Sequence, residues 1–544
     1  MKRLFRSLFY GLIFLFLSVS LFAGGEQEAT DAGVSEKGGD LILAVPEALE
    51  PASFDGHIDA YQSAWLFNSF IADPLIVLGP DNKYYPALAK EWKVNEDSTE
   101  YTFIIKEGVT FQDGTVLDAK AVKYNFDRVK NPDLGSVQLS DDLGPIQSVD
   151  VIDTYTVKVT YKEPWVVLLD ALRRMPIWSP TAAEKYSFGE FDKHLVGAGP
   201  FLFKEWEPNN KAVFERWENY GGWNSMQDHE GPVYLNSITL QFIGEQSVLG
   251  NMVKTGSAHI VQELPALYVD TYKNSDKYQL ISGFQAGTGL QMVMNITKPP
   301  LDQIEVRKAL LYAINQEQVN DLVYDGYYLP MDGPLNEIHP CYWEGAKEMY
   351  KYNPDTARKL LDEAGWIMSG NSSVRVAKNV PGVKDGEELK IGWTVLHHPE
   401  LGEAVQMQLS EVGVGLEIEV VPGPVQKDRV EKRAFDLIYE RQRTPDPRIL
   451  DQIWNSKYYG LQGGWAWTGL KDPELDAILD KITSIGNIEE RCKLAIEAQK
   501  IIMKYAPMVP TLSQPVYYAL DKDVEGFLMG AEGNWFYPHN IYIK

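Results

Sequence analysis

The chain predicts α/β or α+β lobes spread over at least two domains, and three observations carry that expectation. At 544 residues it exceeds what one hydrophobic core organises. With 44% hydrophobic and 12% aromatic side chains it has apolar surface enough for several cores. Strand-like and helix-like patterns then follow one another without a fixed repeat, and one late stretch reads strand–helix–strand. The lack of a tandem period argues against solenoids and propellers.

The first segment is an export signal. Lys2, Arg3 and Arg6 precede an apolar run over 8–22, and Ala23, Gly24 and Gly25 supply small residues at its end. That order marks a signal peptide over 1–23. The run is short for a membrane span. Residues 24–38 are polar and read as a disordered tether. Gly24 stands where a lipid-anchored exported chain carries cysteine, so ordinary cleavage is expected. Cleavage leaves 48 basic against 76 acidic side chains, a net charge of −28.

Folded structure is expected from Gly39. Residues 40–45 (DLILAV) pattern as a strand. A helix over 60–72 places Trp65, Leu66, Phe70 and Ile71 at its apolar positions. A strand over 101–106, a helix over 119–129 and strand-like alternation over 151–153 and 156–161 follow. Residues 291–295 read as a strand and 304–323 as one long amphipathic helix. A shorter helix over 355–364 is closed by Gly365. Strands over 389–395 and 416–421 flank a helix over 403–412, which makes a β-α-β unit with parallel strands. Helices over 475–485 and 489–505 come last.

Charge and cysteine content narrow the function. The full chain carries −25, which argues against nucleic acid and anionic membrane surfaces as partners. Cys341 and Cys492 are the only cysteines, and neither sits in a CxxC pair, so no structural zinc site is expected. An oxidising compartment permits one disulfide between them; 151 positions of separation leave its geometry open. His397 and His398 are adjacent on or just after a strand, so their side chains diverge and no metal pair is expected. HExxH, Walker and GxSxG motifs are absent, and no cofactor is expected.

A series of segments, in order, resembles one family. They are PALAKEW at 86–92, YTFIIK at 101–106, GVTFQDG at 108–114 and DAKAVKYNF at 118–126. VGAGPF at 196–201 follows with KEW at 204–206, then 299–314 with VRKAL at 306–310. NPDTARKLL at 353–361 with EAGW at 363–366, and FDLIY at 435–439 ending in PDP at 445–447, complete the series. Together these resemble the family-five extracellular solute-binding proteins of ABC importers, the peptide- and nickel-binding class. The resemblance implies a two-lobed periplasmic-binding-protein fold with a hinge and an extra subdomain in the first lobe. Lobe I would be 39–290 plus 512–544, with the subdomain at about 73–200, and lobe II 291–511. It also implies ABC permease subunits in the membrane with cytoplasmic ATPases, and a monomeric receptor.

The resemblance places residues 54–70 at the cleft, with Tyr61 and Trp65 as contacts or, for Trp65, as a core residue. Arg173 and Arg174 read either as a guanidinium fork for a carboxylate or as a solvated pair. Peptide binders of this family typically carry a Trp and then an Asp ahead of the Asp-Pro, and that Asp meets the peptide ammonium. Counting back from Asp446-Pro447, those positions hold Glu440 and Arg443. Arg443 would repel an ammonium and suit an anionic or hydroxylated ligand, unless Glu440 or Arg441 restores a salt bridge or the register is one residue out. Asp446 reads as a turn residue. Trp465 and Trp467, two apart after Gly463-Gly464, would face one side of an extended segment, as a stacking platform or as core. The expected function is capture of a small, oligopeptide-like solute for import, without catalysis. An oligosaccharide or a metal chelate is the alternative ligand, and a secreted hydrolase the alternative class.

Overall fold

The computed structural model describes residues 37–544 apart from 60, 61, 137, 371, 397 and 461–463. The expected signal peptide, most of the tether, Tyr61 and His397 therefore lie outside the described residues. The end of the expected tether is structured: Gly38 bridges Ile543 and the Lys37 ammonium lies 4.3 Å from the Tyr234 ring.

The first large sheet has seven strands. Asp40–Pro46 runs between Ser237–Ile243 and Ile260–Gln262, parallel to both. Its interior is apolar on both faces, as a covered parallel strand requires. Antiparallel strands extend the sheet on either side. Pro515–Asp521, near the C-terminus, pairs with Ile260–Gln262 and Tyr278–Phe284.

The second large sheet has six strands. Lys390–Val395 is parallel to Gly415–Val420 and to Leu437–Glu440. The helix between the first two is Pro399–Glu411, so the β-α-β unit is present; its helix starts earlier than expected because Pro399 sits at its first turn. Leu290–Met294 is antiparallel to Leu437–Glu440 and to Met508–Ser513.

The chain passes between these sheets twice, over 285–289 and at Gln514. Leu290, Leu512 and Ser513 already belong to the second sheet, since Leu290 pairs with Leu512. The crossovers thus fall one to two residues away from the expected 290/291 and 511/512 boundaries. Strand register, invisible in the hydrophobic pattern, fixes them. Gly287 in the first crossover has φ +153, and a Cβ there would lie 2.1 Å from the Gln442 carbonyl oxygen. Only glycine permits that approach, which presses the crossover against the segment after Leu437–Glu440.

A third, four-stranded antiparallel sheet spans Ala89–Val94, Glu100–Ile105, Thr156–Tyr161 and Ile146–Asp153. It has its own core, including Phe103, Phe111, Phe126 and Val159. Its helix Ala119–Lys130 is capped by Asp118, whose carboxylate accepts from the Lys120 and Ala121 amides. Arg128 on that helix pairs with Asp55 at 2.5 Å, both side chains buried. Asp55 also accepts from the Trp178 indole, and burial drives the neighbouring His57 down to about 3, so it is neutral. Phe54 is fully buried among aromatic rings. Residues 54–57 are therefore interior rather than cleft-facing as expected.

The expected helix over 304–323 is two helices, Ile304–Ala313 and Gln316–Tyr324. Ile314 and Asn315 are extended, and the Asn315 side chain caps the second helix by accepting from the Gln318 amide. Apolar spacing continues through the break; a side-chain cap outcompetes it locally. Pro354–Glu363 starts on the Asn353 cap and ends at Gly365, whose φ is +88. Cys341 and Cys492 are joined in a disulfide, which settles the open pairing. It ties the loop carrying Cys341 to the helix Ile488–Tyr505 within a helical cluster of the second lobe.

Candidate functional site

The site is built on the end of Leu437–Glu440. All four residues of that strand are buried, and the chain then runs through Arg441–Pro447 into the helix Arg448–Trp454. This run meets the first lobe at Glu263 and the region of the third sheet at Asp141 and Asp142.

Arg443 donates to Glu263 at 3.0 Å, with the two side chains 7% and 13% exposed. Glu263 follows Ile260–Gln262 in the first sheet, so this pair joins one lobe to the other. Its backbone is left-handed, φ +55, a conformation uncommon for a side chain of this type. Burial pushes the Glu263 carboxyl up, but Arg443 and then Arg441 outweigh it and hold it below the usual range. Arg441 donates to the Gln514 side chain in the second crossover. Among the described residues no carboxylate forms an ion pair with Arg441.

Glu440 is buried and accepts from Gln291 and Thr288. Burial pushes its carboxyl up to about 7, and those hydrogen bonds offset only part of that. Its other oxygen has no hydrogen-bond partner, and it forms no ion pair among the described residues. Around these groups stand the hydroxyls of Tyr324, Tyr328, Tyr439 and Tyr518, all pushed upward by burial and therefore neutral phenols.

A cavity beside this cluster is lined by Gln138, Asp142 and Arg174 on one side and by Arg443, Thr444 and Arg448 on the other. At its edge Arg448 donates to Asp142 at 2.5 Å and to Asp141 at 2.7 Å. The guanidinium also lies 5.3 Å from the Trp165 ring. Asp141 and Asp142 belong to Gln138–Leu143 near the third sheet, so this is a second ionic contact between the lobes. Asp446 accepts from the Arg448 amide and pairs with Arg491, consistent with a turn role.

The other expected residues are distributed differently. The Trp65 side chain lies outside the described residues, although the helix Gln62–Ile71 that carries it is present. Arg173 and Arg174 are not a solvated pair. Arg173 is buried against Asp170 at 2.7 Å and Glu532 at 2.5 Å, while Arg174 holds Asp170 at 2.7 Å. Burial pushes Asp170 up, but the two arginines bring it down to about 2. The fork thus holds carboxylates of the chain itself. Trp465 and Trp467 do stack, with ring centroids 5.4 Å apart at 16°. Both are half-buried against second-lobe cores, Trp465 beside the helical cluster and Trp467 beside Phe435 and Ile438. His398 interacts with Glu400 and the Tyr324 hydroxyl, and no group of three metal-ligating side chains occurs among the described residues.

Glu263, Asp141, Asp142 and Arg448 went unremarked in the sequence. Arg448 directly follows the Asp-Pro of a quoted motif, which was a usable signal. The three carboxylates carried none beyond their charge.

Two α/β lobes joined by two crossovers, with an ionic cluster where they meet, define a hinged binding protein. The chain belongs to the bacterial extracellular solute-binding proteins, family 5, whose model matches residues 83–458. It is the solute-binding component of an ABC importer. It is similar to the glutathione-binding protein GsiB of Salmonella typhimurium, 26% identical over 474 residues, covering 83% of this chain and 85% of that one. GsiB of Escherichia coli O157:H7 is 25% identical with the same coverage. Among solved structures, the periplasmic binding protein DppA from Helicobacter pylori, in complex with peptide STSA, superposes with a TM-score of 0.79 at 21% identity, covering 93% of this chain and 98% of that one. NikA from Brucella suis, in complex with Fe(III)-EDTA, gives 0.78 at 20% identity, covering 92% and 100%.

Proposed function

We propose that this receptor captures a small peptide-like solute between its lobes and presents it, chemically unchanged, to an ABC permease driven by cytoplasmic ATPases. The observation that carries this reading is the run Glu440–Arg443. Its charged and amide-bonding groups lie where the second lobe meets Glu263 of the first and where both crossovers pass. Groups of that kind suit the amides and termini of a peptide. Relatives named for glutathione and for peptides support the same class.

Glu440, Arg441 and Arg443 are the contacts we assign first, with Tyr61 and Trp65 as further contacts. Arg174 reaches the same cavity while holding Asp170; Arg173 and the Trp465–Trp467 pair support the walls. The lobes are taken as 39–290 plus 512–544 and 291–511, adjusted to the crossovers, and the receptor as a monomer exported by its signal peptide. Ligand contacts from both lobes would favour the closed arrangement, and only differential affinity can shift that balance.

The test is a thermal-shift screen of the exported chain against di- to pentapeptides, oligosaccharides and nickel chelates. A peptide at about 100 times its Kd should stabilise the fold by roughly 2.7 kcal/mol. Stabilisation by oligosaccharides or chelates alone would overturn the peptide reading.

A further inference from the structure

Asn336 touches both passages of the chain between the lobes. It sits in the loop after Leu329–Pro330 and is 2% exposed. Leu335 on one side of it and Cys341 on the other are buried in the helical core of the second lobe, so its position is set from that lobe. Its side-chain oxygen accepts from the Gly287 amide at 3.2 Å, and its own amide donates to the Gly287 carbonyl at 2.9 Å. Its side-chain nitrogen donates to the Gln285 carbonyl at 2.5 Å and to the Ser513 hydroxyl at 2.8 Å. Gln285 and Gly287 belong to the first crossover, and Ser513 directly precedes the second. The run after Leu437–Glu440 holds the first crossover from its other side. The Thr288 amide donates to the Gln442 carbonyl and the Thr444 amide to the Ala286 carbonyl, both at 2.9 Å. Residues 285–288 are thus fastened to the second lobe, whereas Phe284 and Pro515 pair in the first sheet. Hinges are a few residues that absorb backbone rotation, and the steps left to do so are Phe284–Gln285 and Gln514.

The two supports of the first crossover are themselves joined. The loop carrying Asn336 runs on to Cys341, whose amide donates to His339 Nδ1 at 3.0 Å. Burial drives His339 down to about 4, so the ring is neutral and its Nδ1 is free to accept. The opposite run is held at Asp446, which accepts from Arg491 at 3.0 Å, and Arg491 directly precedes Cys492. The Cys341–Cys492 disulfide therefore links the base of one support to the base of the other. We propose that Asn336 is the positioning residue of the hinge. It fastens both crossovers to the second lobe, and the disulfide keeps it in register with the Arg491–Asp446 support, which confines the bend between lobes to Phe284–Gln285 and Gln514. Without the Asn336 side chain, the Gly287 amide and the Gln285 carbonyl lose these bonds, and the crossover recovers them only by moving toward water. This rests on the two-lobed receptor reading and not on the class of solute.

The experiment is peptide-resolved hydrogen exchange of the full chain without solute, with X-ray scattering on the same samples. Asn336→Ala should speed exchange of the amides over 286–288 and 442–444 by about tenfold, the scale of one buried hydrogen bond, and should raise the radius of gyration. Ser513→Ala removes one bond and no backbone contact; it should act in the same two segments to a smaller extent, and its effect should vanish in the Asn336→Ala background. Asn336→Asp still accepts from the Gly287 amide and the Ser513 hydroxyl, and should recover part of the protection. Cys341→Ser with Cys492→Ser should speed exchange in the same segments by less than Asn336→Ala does, because Gln499 still donates to the Cys341 carbonyl at 2.8 Å. Faster exchange confined to 333–341 in Asn336→Ala, with an unchanged radius of gyration, overturns the hinge role. So does an equal rise throughout the chain in Ser513→Ala, which marks a general loss of stability. Either result leaves the peptide reading standing, and a failure to bind any peptide leaves the hinge role standing.

Discussion

Glu440 concentrates the residue-scale physics. It is 2% exposed, its carboxyl is pushed up to about 7, and the unfolded chain returns it to the ordinary value of 4.5. Between those values the folded state holds the proton and the unfolded state releases it. Its stabilising contribution is therefore full below about 4.5 and is lost as pH rises through about 7. Glu440→Gln removes that dependence. The variant should melt higher than the parent at pH 8, by up to about 3 kcal/mol, with the difference shrinking toward pH 5. Paired thermal melts across that range check it, and a gap that widens toward acid would contradict the assignment. Of these residues, Glu440, Arg441 and Arg443 were legible because they interrupt a recognisable motif. Glu263 was not, because its partner lies 180 positions away and nothing local distinguishes it. For the same reason Arg173 and Arg174 could be read as a fork but not as one already filled by Asp170 and the distant Glu532.

At the scale of elements, the decisive contacts join segments far apart in the chain. Arg448, at the start of Arg448–Trp454, holds Asp141 and Asp142 across the lobe boundary. Arg448→Met removes that contact and leaves Asp142 with Arg174 at 3.4 Å. The solute-free variant should show a larger radius of gyration by X-ray scattering than the parent, and an unchanged value would mean that the contact does not hold the lobes together. The disulfide is a second such element. It closes a loop of 151 positions inside the second lobe. Cys341→Ser with Cys492→Ser should cost about 2–5 kcal/mol of unfolding stability, read by chemical denaturation. Helix and strand identities were largely visible from spacing. The break at Ile314–Asn315 was not, because apolar spacing runs through it and the Asn315 cap is chosen only when the chain turns there.

For the whole molecule, the motif order carried the family and the two-lobed fold, while the crossovers at 285–289 and Gln514 needed strand register to locate. Those crossovers lie against the same run that carries Arg441–Arg443: Gly287 packs on the Gln442 carbonyl and Gln514 receives Arg441. A ligand contact at this run would act beside the joint between lobes, which is how we propose that binding is coupled to closure. The central claim is that this coupling serves to hold one intact peptide-like solute. Native mass spectrometry of the exported chain incubated with a di- to pentapeptide library tests it most directly. The account predicts one unmodified peptide per chain, lost in an Arg441→Gln, Arg443→Gln double variant that remains folded. Peptide fragments released over time, or adducts formed only by oligosaccharides or metal chelates in a parallel incubation, would contradict it.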